Sequence, residues 1–276
     1  MSDATADALH APGGHGGHDA HGIHAHEPHL AHHFDTPRQQ FEAGKLGIWL
    51  FLVTEILFFS GLFCAYTVYR TLDPDVFEWG HYFLDTKLGA LNTGVLLFSS
   101  LTAAWAVRNA QLKQHTHLVV NILLTIACAC TFMVVKYEEY SHKIHAGLLP
   151  GKHFQPHEEV WELESYRHKN GEPPAGFHEG TPEGIAAAEA QITRGHPYKF
   201  DPPRNAARFF GIYFCMTGLH GIHVVAGVVV WIWMLIKALK KQFGPTYFGP
   251  IDFAALYWHL VDLIWIYLFP LLYLID

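Results

Sequence analysis

Five stretches of this chain are too apolar and too long to sit comfortably in water. Residues 46–69, 88–107, 117–135, 209–236 and 251–275 are almost free of charge, while charged residues crowd between them. Each stretch approaches or exceeds the ~20 apolar residues that a helix needs to cross ~30 Å of hydrocarbon. In hydrocarbon the backbone must satisfy its own hydrogen bonds, so each stretch is predicted to be a transmembrane helix, here A to E. Composition alone would not decide this, because 50% hydrophobic and 16% charged residues also suit one large soluble domain. The distribution does decide it. No soluble core needs five such runs, and the alternating pattern of a membrane barrel is absent. The predicted fold is all-α, a polytopic bundle of five transmembrane helices.

Four regions follow from this division: a His-rich tail (1–45), helices A–C (46–136), a long external loop (137–208) and helices D–E (209–276). Five spans put the two termini on opposite sides. One side receives Arg38, Lys45, Arg108, Lys113, Lys237, Lys240 and Lys241 on short segments. On the other side Arg70 and Lys87 are diluted by Asp73, Asp75, Glu78 and Asp85. Basic residues in short loops stay in the cytoplasm, which predicts an inner N-terminus and an outer C-terminus. No cleavable signal peptide is visible, and helix A is expected to act as its own insertion signal. Cys64, Cys128, Cys130 and Cys215 all lie in apolar runs, so they say nothing about redox compartment. No nucleic-acid partner is expected.

The tail places His15, His18, His21 and His24 at every third residue, with more imidazoles beyond them. Weak binding of a divalent transition metal is the sharper reading. A disordered low-complexity tail, too rich in Gly and Pro to order a site, is the plainer one and the one preferred. The C–D link is rich in Pro, Gly, His and Glu, and residues 181–192 ("TPEGIAAAEAQI") have a Thr–Pro–Glu helix start. A loop of this length is usually functional or a docking surface.

Ionisable groups inside a membrane are costly and need a reason. Five stand out: Glu55 in A, His220 and His223 in D, and His259 and Asp262 in E. At ~1.5 Å per residue, Glu55 lies ~14 Å above the inner end and Asp262 ~15 Å, so the five are expected to meet in one buried polar network. His220/His223 and His259/Asp262 are each i, i+3 pairs, expected to share a helix face. Gly211, Gly218, Gly221 and Gly227 are expected to let D approach its neighbours closely. Three chemistries compete for such a set: haem ligation, metal transport, and a packing network coupled to protons. Haem needs paired imidazoles across a gap, and transporters usually show repeats and broken helices. Neither pattern is visible, so the packing network fits best and no catalytic residue is expected.

The segments "KLGIWLFLVTEILFFSGLFCAYTVYR", "EYSH", "GLHGIHVVAG" and "YWHLVDLIWIYLFPLLYLID" together resemble subunit III of the haem-copper terminal oxidases, in order and across all five spans. The resemblance is to the shorter five-helix bacterial form and implies a bacterial cytoplasmic-membrane location. It also implies a subunit with no cofactor of its own, which holds phospholipid and packs against oxidase subunits I and II. Haem and copper would sit in subunit I, which reduces O2 and pumps protons. On this resemblance Glu55 matches a buried carboxylate, His220 and His223 a "GxHGxHV" pair, and His259 and Asp262 a "WHxVD" element. Glu139, Tyr140 and His142 match an outer helix-end element. Lys237 and Lys240 fall where lipid headgroups are bound, although plain anchoring at the inner surface is the reading physics alone prefers. Without the two further helices of the longer forms, another subunit or complex should cover the lipid cleft. The C–D link exceeds the family's usual length and is expected to face cytochrome c or another respiratory complex. The residues tilt the reading toward cytochrome c oxidase. A quinol oxidase subunit III, a nitric-oxide-reductase-associated relative, and an autonomous haem or metal transport protein stay open.

Overall fold

The computed structural model describes residues 31, 33–81, 83–145, 147–150 and 205–275. His15, His18, His21, His24 and residues 181–192 lie outside them. Six helices run through the described residues: α1 (Pro37–Leu72), α2 (Pro74–His81), α3 (Thr86–Gln111), α4 (His115–His145), α5 (Ala206–Leu239) and α6 (Gly249–Tyr273). All except α2 are long and apolar enough to cross a membrane, in agreement with the five predicted spans. Among the described residues there are no strands.

The helix ends follow local chemistry. Thr36 caps α1 by accepting the Gln39 N–H at 3.2 Å, and Pro37 occupies the first turn, where its missing N–H costs nothing. Asp85 caps α3 by accepting from the Lys87 and Leu88 N–H groups at 2.8 and 3.1 Å. Gly147, at φ 74°, supplies the left-handed turn just beyond α4.

Three boundaries differ from the sequence reading. α1 begins at Pro37, inside the region assigned to the tail, because Phe41 docks on Phe248 and Phe253 and extends the helix below the apolar run. α4 continues to His145, into the region assigned to the external loop, because Lys136 and Lys143 both pair with Glu139 in the bundle instead of projecting into water. The A–B link contains α2, whose Phe77 packs edge-on against Tyr66 of α1 and Phe209 of α5.

α6 is the centre of the bundle, touching α3, α5 and α1, while α4 completes the other side against α3 and α5. Its tryptophans stitch it to α3. Trp258 donates its indole N–H to Ser99 Oγ at 2.9 Å, and Trp265 donates to Thr93 Oγ1 at 3.1 Å. Across from it, Gly227 of α5 makes room for Trp258, since a Cβ there would come 2.5 Å from the ring. The other three glycines singled out on this helix do not share that role. Their nearest neighbours stand 3.7 Å or more from where a Cβ would be.

Candidate functional site

The structure separates the five intramembrane groups that the sequence reading brought together. A step of three residues turns an α-helix by about 300°, so i, i+3 partners diverge by about 60°. On α5 that divergence sends His223 to α1 and His220 into the core. His220 is fully buried between the Phe132 and Trp265 rings, at centroid distances of 5.6 and 5.3 Å. Neither of its ring nitrogens has a hydrogen-bond partner. On α6, His259 Nδ1 meets Ser100 Oγ of α3 at 2.5 Å, while Asp262 is buried with neither oxygen hydrogen-bonded. The expected single network is therefore three separate environments.

The Glu55–His223 pair can be read atom by atom. His223 Nδ1 lies 2.8 Å from the Leu219 carbonyl, which can only accept, so Nδ1 carries a hydrogen and donates it. Nε2 lies 2.9 Å from Glu55 Oε2. Two bare acceptors would repel at that distance, so one proton sits between them. With the proton on nitrogen the pair is imidazolium and carboxylate; with it on oxygen both partners are neutral. Either way the net charge is zero, which is what a low-dielectric site demands. Phe58 and Phe59 flank the imidazole, and Tyr257 donates to the His223 carbonyl at 3.0 Å.

A second polar site lies near the other end of α4, and only part of it was anticipated. Glu139 is buried and receives four donors. Lys136 reaches it at 2.5 Å, Lys143 at 2.8 Å, Tyr213 at 2.9 Å and Tyr273 at 2.6 Å. Lys136 also bonds Tyr273 Oη at 2.5 Å and sits 4.4 Å from the centroid of the Trp265 ring. This cluster ties α4, α5 and α6 together. Tyr140 bonds Thr217 of α5 at 2.5 Å, whereas His142 is exposed. Of the expected trio, then, Glu139 and Tyr140 face the bundle and His142 does not. Lys136 and Lys143 were missed by the sequence reading. Their positions three before and four after Glu139 are the spacing that signals pairing on one helix face.

At the lysine-rich end, Lys237 Nζ lies 4.0 Å from the Trp233 ring centroid, and Lys240 is exposed. Beside them a groove of about 370 Å³ opens between α1, α5 and α6, lined by Phe51, Val230, Trp233, Phe253 and Tyr257 among others. Among the described residues no three His, Cys, Asp or Glu side chains converge as a metal site. The cysteines are unpaired, and Cys128 and Cys130 point to a buried and an exposed face respectively.

Similarity to known proteins covers the same helices. The family described as "Cytochrome c oxidase subunit III" matches residues 27–146 and 204–276, skipping most of the long link. The quinol oxidase subunit 3 of Bacillus spizizenii is 25% identical over 246 residues, which is 86% of this chain and 91% of that protein. The cytochrome c oxidase subunit 3 of Damaliscus lunatus is 24% identical over 236 residues, covering 83% of this chain and 68% of the relative. That of Litocranius walleri is 24% identical over 249 residues, covering 88% and 72%.

Proposed function

Because the chain belongs to the cytochrome c oxidase subunit III family, we propose that it is the non-redox subunit III of a terminal cytochrome c oxidase. In this reading it binds phospholipid and braces subunits I and II, which carry the haem and copper that reduce O2. The observation that carries the proposal is the family match over all five spanning helices, with the polar sites falling inside the matched regions.

The side chains support a bracing role. His223 Nε2 is committed to Glu55 and His259 Nδ1 to Ser100, while His220 is enclosed by aromatic rings. The imidazoles thus serve helix contacts. The groove beside Lys237 has the form of a lipid site, an apolar trough with a cation and an indole at its mouth. In this reading the lipid belongs to the inner leaflet, since the groove lies near the lysine-rich end. The orientation is the one that the short-loop charges favour, with the N-terminus in the bacterial cytoplasm and the C-terminus outside. The long link then faces the outer side, toward cytochrome c or a neighbouring complex. Support for proton pumping would come through holding subunit I in its working form.

The experiment is purification in mild detergent. Subunits carrying haem and copper should travel with this chain, with tightly held phospholipid. Recovery of the chain alone, fully folded and with no large partner, would overturn the reading. The quinol oxidase reading is favoured by one observation, the match to 91% of the Bacillus protein. Turnover of the complex with reduced cytochrome c against a quinol separates the two donors.

A further inference from the structure

At the lysine-rich end of the bundle a cavity of about 450 Å³ lies between the start of α1, the α3–α4 link, the α5–α6 link and the start of α6. That size suits a small-molecule site. Pro250 and Phe253 line both this cavity and the groove assigned above to phospholipid, so the two adjoin. Their chemistry differs. The groove is walled by hydrocarbon and rings, whereas the cavity adds the Lys113 ammonium, the Gln242 amide and the Thr246 hydroxyl. Among the described residues that line it, none is acidic. Lys113, Gln242 and Thr246 are exposed, so the cavity is open to water.

Its apolar walls are flat rings held in place by the backbone. Gly244 and Tyr247 exchange both backbone hydrogen bonds, at 3.3 and 3.0 Å, which closes a tight turn over Pro245 and Thr246. That turn brings the Phe243 and Tyr247 rings within 10° of parallel, with centroids 6.0 Å apart. Phe41 of α1 and Phe253 of α6 make a second stacked pair, at 5.7 Å and 19°. The pair fits because Gly44 and Gly249 leave room for it: a Cβ there would come 2.7 Å from Phe253 and 3.1 Å from Phe41. The cation arrives on a strained backbone. Lys113 has φ 58°, at the left-handed position beyond α3 that glycine ordinarily takes. Lys241 has φ 54° at the same position beyond α5, with the same pattern of closing hydrogen bonds, but it does not line the cavity.

We propose that this cavity is a binding site for a nucleoside phosphate, with the base against the aromatic rings and the phosphate on Lys113. Stacking on rings accepts any planar base, because each has a π-face. The Gln242 amide can both donate to a base edge and accept from it. The Lys113 ammonium, with no carboxylate beside it, selects an anion. Free phosphate would leave the rings unused, and a phospholipid headgroup carries no flat ring to stack on them. The site is formed by this chain alone, whichever electron donor the complex uses.

Equilibrium dialysis of radiolabelled AMP against the full chain, purified with the subunits that accompany it, tests this. AMP should bind saturably, and adenosine or inorganic phosphate should compete about tenfold or more weakly than unlabelled AMP. The two left-handed lysines give a matched pair of variants. Lys113→Gly and Lys241→Gly each remove one positive charge and each relax a strained backbone, so both should keep or raise the unfolding temperature. AMP affinity should fall about tenfold or more in Lys113→Gly and stay at the wild-type value in Lys241→Gly. Gln242→Ala should weaken AMP binding and leave the competition by phosphate unchanged. Absence of saturable AMP binding overturns the proposal. So does phosphate that competes as well as AMP, or an equal effect of the two glycine variants.

Discussion

The Glu55–His223 pair and the Glu139 cluster both bury a carboxylate on a spanning helix, and they solve the problem differently. Glu55 and His223 sit on the rim, each side chain 18% exposed, and share one proton between two atoms. Glu139 is 6% exposed and is compensated by two lysines and two tyrosines. A pair joined by a single proton can drop its charges by moving that proton. A carboxylate flanked by two ammonium groups cannot, because losing its charge would remove the anion that both of them bond. The rim pair is therefore tolerant of change and the cluster is not.

Substitutions sharpen that contrast. Glu139→Ala removes the buried anion that both lysines and both tyrosines bond and should cost about 3–5 kcal/mol, seen as lost yield or a much lower unfolding temperature in detergent. Lys136→Met leaves Glu139 with Lys143 and both tyrosines, and removes the bond to Tyr273. A smaller loss of roughly 1–3 kcal/mol should appear in the same assay. His223→Ala removes the hydrogen bond that joins α1 to α5 here, so the loss should be about 1–2 kcal/mol. Glu55→Gln should cost least, about 0.6 kcal/mol or less, because the amide donates to Nε2 in place of the shared proton. If Glu55→Gln proved as damaging as Glu139→Ala in that assay, the distinction between the two sites would fail.

The spans were legible because hydrocarbon sets one crude requirement, an unbroken apolar run, and five runs meet it. Which faces those runs bury was harder to read. Residues four apart on a helix can be assigned a common side, but His220 and His223 straddle two neighbours, and the choice of neighbour is tertiary. α1 illustrates the same limit. Only 11% of its most apolar stretch is buried, against 44% for α6, although by sequence that stretch is the more apolar of the two. Glu55 was visible as an acid among Leu and Phe, but its partner depended on the α1–α5 approach. The Glu139 cluster was half visible. The "EYSH" element marked Glu139, while its lysines looked like ordinary charges beyond the apolar run. Tyr213 and Tyr273 carried no local signal, because their hydroxyls matter only once α5 and α6 converge on α4. Ser100 was one of many small hydroxyl residues on α3, and only the position of His259 distinguishes it.

The central claim is that these imidazoles hold helices together and that the redox groups lie in other subunits. The visible spectrum of the full chain, separated from its partners under conditions that keep it helical, tests this most directly. The expected spectrum has no Soret band, with all haem absorption following the partner subunits. A Soret band that stays with this chain and disappears in His220→Ala or His223→Ala would contradict the account.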